Sequence, residues 1–280
     1  EIAPGAHDMN REYRALSGLS PVFDRAPRAF AYCEDTSVIG APFIVMERRQ
    51  GIVVRSAIPP EFRNLKNPEE RVSFALVDAM AELHELDPQS IGLGQLGKAK
   101  GFVSRQLKGW HGRWQLVVDE KNTAFESAYE ALVDQQPETV RHTVVHNDLK
   151  LDNCMFEAGN PNRVATILDW DMTTLGDPLV ELGTLLSYWQ QLDDVVNRSP
   201  TIDLDMTGFP SRQHLVARYA EHGSDVSHID WYEAFGLWKQ AVVLQQLYRR
   251  FENGETQDKR FSIFPGFIPG LLNETLRLLS

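Results

Sequence analysis

The chain has 280 residues and a hydrophobic fraction of 42%, enough to build one large domain or two lobes. Its 39 acidic and 28 basic residues give a formal net charge of −11, which argues against nucleic acid or an anionic membrane as the main partner. The two cysteines, Cys33 and Cys154, are too few and too far apart for a disulfide framework. No apolar run reaches the roughly 18 residues of a membrane span, and no signal peptide is visible. These features predict a cytoplasmic protein.

The N-terminal part predicts one short helix and two strands. Asp8 is placed to cap a helix that runs to about Leu16. The segments 29–33 and 42–46 predict strands, and the pattern breaks over residues 47–51. The rest of the chain predicts mainly helices, with apolar spacing and caps that place them near residues 68–86, 102–119, 122–135, from 178 onward, 211–222, 230–251 and 267–279.

The most informative segment is residues 146–153, which read His-Asn-Asp-Leu-Lys-Leu-Asp-Asn. Two apolar runs follow it, 154–156 and 164–168, and the residues between them are rich in turn formers. This pattern predicts a β-hairpin with its turn centred near Pro161. An acidic residue, Asp169, follows the second strand.

Antiparallel pairing about that turn places Asn153 opposite Asp169, with Asp148 a short loop upstream. Mg²⁺ prefers hard oxygen ligands and takes only one or two from the protein when phosphates supply others. In our interpretation Asn153 and Asp169 supply those ligands, and Asp148 accepts the proton of an incoming hydroxyl. Isolated Asp and Asn residues usually serve turn chemistry, but the complete set favours phosphoryl transfer.

These residues resemble the aminoglycoside phosphotransferase and choline kinase-like family, relatives of the protein kinases. The matching motifs are residues 146–153, residues 167–170, and Gly-Asp-Pro at 176–178. The resemblance runs over nearly the whole chain. Within the family, the chain is most similar to the kinase-like domain that occurs alone in bacteria or fused to acyl-CoA dehydrogenases, on the evidence of residues 10–13, 208–211 and 257–261.

The resemblance implies an α+β, bilobal protein kinase-like fold. Residues 1–48 would form part of a small, strand-rich N-terminal lobe, and residues 49–280 a large, mainly helical lobe with the catalytic loop and the metal-binding hairpin. The family's glycine-rich phosphate loop and lysine strand are not found ahead of residue 8. Either the chain is truncated, or these parts precede Glu1 in a segment that is mobile without nucleotide. We favour the second explanation, which an intact mass well above 31.8 kDa would support.

Roles for N-terminal residues also follow from the resemblance. Glu12 lies on the first helix, where kinases carry the glutamate that pairs with the phosphate-binding lysine. Backbone groups near Glu47 and Arg48 would bond the adenine of ATP, because the segment corresponds to the hinge between the lobes.

Three residues near the catalytic loop are expected to support it. His146 would brace the loop by hydrogen bonding. Lys150 either steadies the γ-phosphate or is an exposed loop lysine, and Asp171 either assists a second metal ion or caps the next turn. Elsewhere, His84 is predicted to pack and bond a neighbouring backbone group, and five tryptophans are predicted to lie in the core: Trp110, Trp114, Trp189, Trp231 and Trp238.

The predicted function is ATP-dependent, Mg²⁺-dependent transfer of the γ-phosphoryl group to a hydroxyl of a small molecule. Two alternatives stay open at the level of sequence. One is a nucleotide-binding pseudokinase with a regulatory role, and the other is a metal-dependent hydrolase that uses the acidic residues and His146 as ligands. The acceptor could be an aminoglycoside, a choline-like alcohol, a sugar or a hydroxyacyl compound. The sequence leaves open whether ATP or GTP is the donor, and it leaves the oligomeric state open.

Overall fold

The structure, a computed structural model, describes residues 8–280; residues 1–7, which begin the predicted N-terminal lobe, lie outside the described part. Helix α1 (Met9–Leu19) comes first, and the Asp8 side chain caps it by accepting a hydrogen bond of 3.0 Å from the Arg11 N–H. The predicted cap is confirmed, and the helix continues three residues beyond the predicted end.

The two strands predicted in this region are confirmed. β1 (Ala29–Cys33) pairs antiparallel with β2 (Phe43–Met46) in a two-stranded sheet. Helix α1 lies beside this hairpin, where the rings of Tyr13 and Tyr32 approach to 6.0 Å between centroids. The architecture is α+β, as predicted: a small strand-containing N-terminal region and a mostly helical remainder. The lobe boundary after residue 48 stays a prediction.

Two further small sheets surround the catalytic segment. β3 (Ile52–Val53), β5 (Cys154–Glu157) and β6 (Asn160–Ile167) form a three-stranded sheet, in the order β3-β5-β6. β4 (Thr143–Val145) pairs antiparallel with β7 (Thr174–Gly176). Residues 146–153 leave β4 and enter β5, so the loop they form is held between the two sheets.

Helices make up most of the remainder: α2 (Pro60–Arg63), α3 (Pro68–Glu85), α4 (Phe102–Gln115), α5 (Thr123–Asp134), α6 (Pro178–Tyr188), α7 (Arg212–Ala220), α8 (Ile229–Glu252) and α9 (Ile268–Leu278). Side-chain caps set several starts; Asp177, for example, accepts a hydrogen bond from the Leu179 N–H at the start of α6. Helix α4 ends four residues before the predicted end, where the chain tightens and the Val117 N–H donates to the Trp114 carbonyl at 3.0 Å. Among residues 8–280, none of the helices has the length and apolarity to cross a bilayer.

The core has two buried clusters. One joins α1, α3, α6 and the β5–β6 hairpin, and the other joins α4, α5, α8 and α9. The five tryptophans lie within them, none more than 8% exposed, which confirms that prediction. Helices α6 and α8 approach closely at Gly183, where an added Cβ would lie 2.4 Å from the Tyr232 carbonyl. This contact fixes the position of α6 behind the catalytic loop.

Candidate active site

The hairpin that follows the catalytic loop turns earlier than predicted. Glu157 pairs with Asn160, so the turn is Ala158-Gly159, and Pro161 lies inside β6. Gly159 has φ +76°, a left-handed conformation that glycine adopts readily. The predicted turn centre near Pro161 is therefore wrong.

Irregularities in the β5–β6 pairing bring the strand register, at the open end of the hairpin, back to within one residue of the predicted register. The register moves between Met155 and Glu157, so that Cys154 pairs with Ile167. The Leu168 N–H then donates a 2.8 Å hydrogen bond to the Asn153 carbonyl. The predicted pairing of Asn153 with Asp169 is wrong by one residue, because the irregularities do not quite cancel the displacement. Asp169 still follows directly at the open end of the hairpin.

The structure brings Asp148, Lys150 and Asn153 together. The Asn153 side-chain amide donates to the Asp148 carbonyl at 2.8 Å and to Asp148 Oδ2 at 2.9 Å. Lys150 Nζ donates to both carboxylate oxygens of Asp148, at 2.9 and 2.7 Å. These bonds hold the Asn153 amide nitrogen against the loop. Its oxygen, Oδ1, accepts no hydrogen bond from residues 8–280.

His146 links this loop to the end of β6. It is fully buried, and its Nε2–H donates a 2.8 Å hydrogen bond to the Leu168 carbonyl. Its Nδ1 accepts a hydrogen bond of 3.3 Å from the Asp148 N–H. Both ring nitrogens are thus engaged, and the ring packs edge-on against Trp170, with 4.8 Å between centroids. The contacts are those that a bracing role requires.

The sequence analysis did not identify Glu181, which lies beneath the loop in α6. Its side chain is 1% exposed. Oε1 accepts a 2.7 Å hydrogen bond from the Asn147 N–H, and Oε2 accepts one of 3.2 Å from the His146 N–H. His84 Nε2 lies 2.8 Å from Oε2, and His84 Nδ1 lies 2.8 Å from the Tyr219 hydroxyl. The prediction that His84 bonds neighbouring backbone is therefore wrong, since its partners are two side chains.

Burial raises the pKa of Glu181, but the hydrogen bond and charge of His84 and the contribution of His146 lower it by more. The net pKa lies below the usual value, so Glu181 is ionised and can accept from both backbone N–H groups. The only local signal was an acidic residue in the first turn of a helix that begins at Asp177-Pro178. Such residues are common at helix starts because they favour the helix dipole, so the pattern does not single out this one.

Asp169 projects its carboxylate outward at the hairpin's open end. The residue is exposed, and its side chain makes no hydrogen bond or ion pair with residues 8–280. Its backbone has φ +65°, a left-handed conformation that few non-glycine residues adopt. The next residue, Trp170, is 1% exposed and donates a 2.8 Å hydrogen bond from Nε1 to the Ile167 carbonyl. This anchor, followed by half-buried Asp171, holds the turn.

The predicted nucleotide residues lie in the N-terminal region. Glu12 is 8% exposed on the inner face of α1. The Glu47 carboxylate contacts the Arg28 N–H at 3.2 Å and Arg49 Nε at 3.0 Å, and its own N–H donates to the Arg28 carbonyl at 2.8 Å. Glu47 thus bonds within its own region and not to the catalytic loop, and Arg48 follows it after the end of β2.

A family model described as "Phosphotransferase enzyme family" matches residues 2–215. The chain belongs to this family. Acyl-CoA dehydrogenase family member 11 of Pongo abelii is 29% identical over 285 residues, which cover 99% of this chain and 36% of that protein. The protein of the same name from Rattus norvegicus is 30% identical over 266 residues, 92% of this chain and 33% of its own length. The chain spans about a third of the length of these relatives.

Solved structures confirm the fold. A Ralstonia eutropha protein assigned as an aminoglycoside phosphotransferase superposes with a TM-score of 0.82 at 26% identity, over 99% of this chain and 84% of that one. A thermostable mutant of aminoglycoside phosphotransferase APH(4)-Ia, in ternary complex with AMP-PNP and hygromycin B, gives a TM-score of 0.59 at 17% identity, over 94% and 82%. The predicted family and kinase-like fold are confirmed, and family membership supports phosphotransferase activity on a small molecule.

Proposed function

We propose that this protein is an ATP-dependent kinase that transfers the γ-phosphoryl group to a hydroxyl of a small molecule. One observation carries the proposal: the Asp148 carboxylate is held within 2.9 Å by Lys150 and Asn153, beside a hairpin end that carries the unpartnered carboxylate of Asp169. This arrangement has the base and the two oxygen donors that phosphoryl transfer to a hydroxyl needs.

The side chains present fit a Mg²⁺–nucleotide complex. Asn153 Oδ1 and the Asp169 carboxylate are hard oxygen donors without partners among residues 8–280, and two protein ligands suffice when phosphates and water complete the coordination. When bound, Mg²⁺ would neutralise negative charge on the transferred phosphoryl group. Because the Glu47 N–H is already donated to Arg28, the adenine contact we propose uses the Glu47 carbonyl and the Arg48 N–H.

Side chains of this protein would carry out the proton transfer and the positioning of the substrates. Asp148 orients the acceptor hydroxyl and accepts its proton at a carboxylate oxygen. Lys150, which contacts that carboxylate in the structure, would turn to the γ-phosphate when ATP binds. His146 holds the loop to β6, while Asp171 supports the turn after the metal ligand. Glu12 on α1 would support the phosphate side of the nucleotide site. Positioning and charge stabilisation account for most of the rate enhancement.

The two alternatives have less support from the geometry. A hydrolase that used His146 as a metal ligand would need a free ring nitrogen, but both are hydrogen-bonded to Leu168 and Asp148. A pseudokinase would have no use for an acceptor-side base, whereas here Asp148 is held by two neighbouring side chains.

The decisive experiment combines turnover with nucleotide binding. A screen of hydroxylated metabolites for ATP and GTP consumption supplies an acceptor and the donor. Asp148→Asn should then lower kcat by about 10²- to 10⁴-fold while ATP affinity stays unchanged, and Asp169→Ala should abolish the Mg²⁺-dependent part of that affinity. Asp152→Asn, an exposed carboxylate in the same loop, is the matched control. Full turnover by Asp148→Asn would refute the proposal.

A further inference from the structure

Two cations meet on one indole ring in the helical part of the protein. Lys239 of α8 places its Nζ 5.4 Å from the centre of the Trp110 ring. Arg113, one turn after Trp110 on α4, places its guanidinium carbon 4.4 Å from the same ring. The indole is 8% exposed, Lys239 is half-buried, and Arg113 is exposed. The cluster thus has one cation at its base and another at its rim.

Neither cation has an anionic partner. Within residues 8–280, no hydrogen bond or ion pair is made by Lys239 or Arg113. Arg218, in contrast, contacts Asp78 at 2.7 Å and Glu221 at 2.6 Å. Lys239 and Arg113 instead share one ring, and neither lies within ion-pair distance of a carboxylate of residues 8–280. A half-buried ammonium without a counter-ion is unfavourable, and a bound anion would remove much of that cost.

The cluster lies within the electrostatic reach of the catalytic loop. Burial lowers the pKa of Lys239, the Asp148 carboxylate and then Glu181 raise it, and Arg113 and Lys150 lower it. Both carboxylates are already engaged, Asp148 by Lys150 and Asn153, and Glu181 by backbone N–H groups. The cluster therefore adds unpaired positive charge on the side of Asp148 that faces α8 and α4.

We propose that Lys239 and Arg113 form a subsite for an anionic oxyacid group of the acceptor, so that the acceptor is a hydroxyl compound bearing a carboxylate or a phosphate. The inference rests on the proposed kinase function, with the acceptor hydroxyl at Asp148. A cationic amino alcohol would place like charges together, which disfavours its binding.

The test uses hydroxyl compounds with the same six-carbon chain that end in a carboxylate, a phosphate, a second hydroxyl or an ammonium group, assayed by ADP release. Wild-type protein should favour one or both anions over the ammonium compound by at least about tenfold in kcat/KM. The better anion identifies the group. Lys239→Met should raise KM for that anion to the level of the diol and leave kcat unchanged, because the contact binds ground state and transition state alike. Lys239→Arg should restore the preference.

Lys108→Met, at an exposed lysine of α4, controls for the loss of net charge and should leave the preference unchanged. Equal or better use of the ammonium compound by wild type would overturn the subsite and leave the kinase function standing. If no compound is phosphorylated, the kinase proposal loses support, and saturation-transfer NMR then tests the subsite independently of turnover. Binding of an anion in preference to the ammonium compound, lost in Lys239→Met, would support the subsite. Equal binding of the anion and the ammonium compound, or binding of neither, would overturn the subsite.

Discussion

The Glu181 carboxylate accepts a 2.7 Å hydrogen bond from the backbone N–H of Asn147. Asn147 has φ +69° and directly precedes the proposed base. A buried charge in α6 thus holds the loop at a backbone conformation that few residues other than glycine adopt. Because His84 joins the other carboxylate oxygen to Tyr219, the loop is tied to α3 and α7 as well.

Glu181→Gln should destabilise the protein strongly. The amide has one acceptor oxygen, so its NH₂ group must face either a backbone N–H or the His84 ring. The free energy of unfolding should fall by about 2–4 kcal/mol, measured by urea denaturation. Glu85→Gln, on the exposed side of α3, should change it by less than about 0.5 kcal/mol. Equal effects of the two variants would contradict the assigned clamp.

The same contact predicts a pH dependence. The pKa of Glu181 is lowered in the folded protein from its ordinary 4.5, so the unfolded chain binds the proton more readily. The stabilisation is complete above the ordinary value and is lost as the pH falls through the folded-state pKa. The difference in unfolding free energy between wild type and Glu181→Gln should therefore shrink on acidification below about pH 4.5. A difference independent of pH would argue against an ionised Glu181.

Lys150→Met should reduce catalysis more than nucleotide binding. Lys150 reaches both oxygens of the Asp148 carboxylate, at 2.9 and 2.7 Å, and we expect it to move to the γ-phosphate during transfer. Loss of one such charge should lower kcat by about 10²-fold, with the ATP dissociation constant little changed. Lys66→Met, at an exposed site, should have no effect. An unchanged kcat in Lys150→Met would leave Lys150 as an ordinary loop lysine.

A pair of helix glycines should respond to alanine in opposite directions. At Gly183 of α6 the new methyl would lie 2.4 Å from the Tyr232 carbonyl, so Gly183→Ala must separate α6 from α8 and should cost about 1–3 kcal/mol. At Gly112 of α4 nothing lies within 4 Å, so Gly112→Ala should stabilise by about 0.5–1 kcal/mol. Thermal unfolding measures both. Since α6 carries Glu181, only Gly183→Ala should also lower turnover.

Lys239→Met should make the protein more stable while it weakens acceptor binding. Burial lowers the pKa of Lys239 from 10.5, so removing the half-buried charge should add on the order of 1 kcal/mol, or roughly 2–4 °C in Tm. Between the lowered pKa and 10.5 the unfolded chain binds more protons, so wild-type stability rises with pH there. The gap between variant and wild type should therefore narrow toward pH 10.5. A less stable variant would refute this.

Several helix starts and strands can be predicted from the sequence because they depend on residues close together in the chain. Capping residues at Asp8 and before Pro178 predict the starts of α1 and α6, and apolar runs predict β5 and β6. The turn at Gly159 was misplaced because Pro161 looked like the stronger turn signal, although a proline can also lie within a strand where its missing N–H is not needed.

The residues that surround the catalytic loop but come from distant parts of the chain could not be predicted from the sequence. Glu181 and Lys239 lie 33 and 91 residues after Asp148, and only tertiary packing brings them near it. His84 was seen as a core residue, but its partner Tyr219 lies 135 residues away. Side chains within one loop can be assigned from spacing, whereas the buried charges that hold or surround that loop require the fold.

The left-handed backbone at Asp169 predicts how this position should change among evolutionary relatives of the protein. Glycine would occupy φ +65° with less strain than aspartate, so drift without selection should replace Asp169 by glycine. Retention of the carboxylate against this conformational preference would mark lineages that still need a cation there. Glycine at that site would mark lineages that have abandoned the chemistry while keeping the architecture.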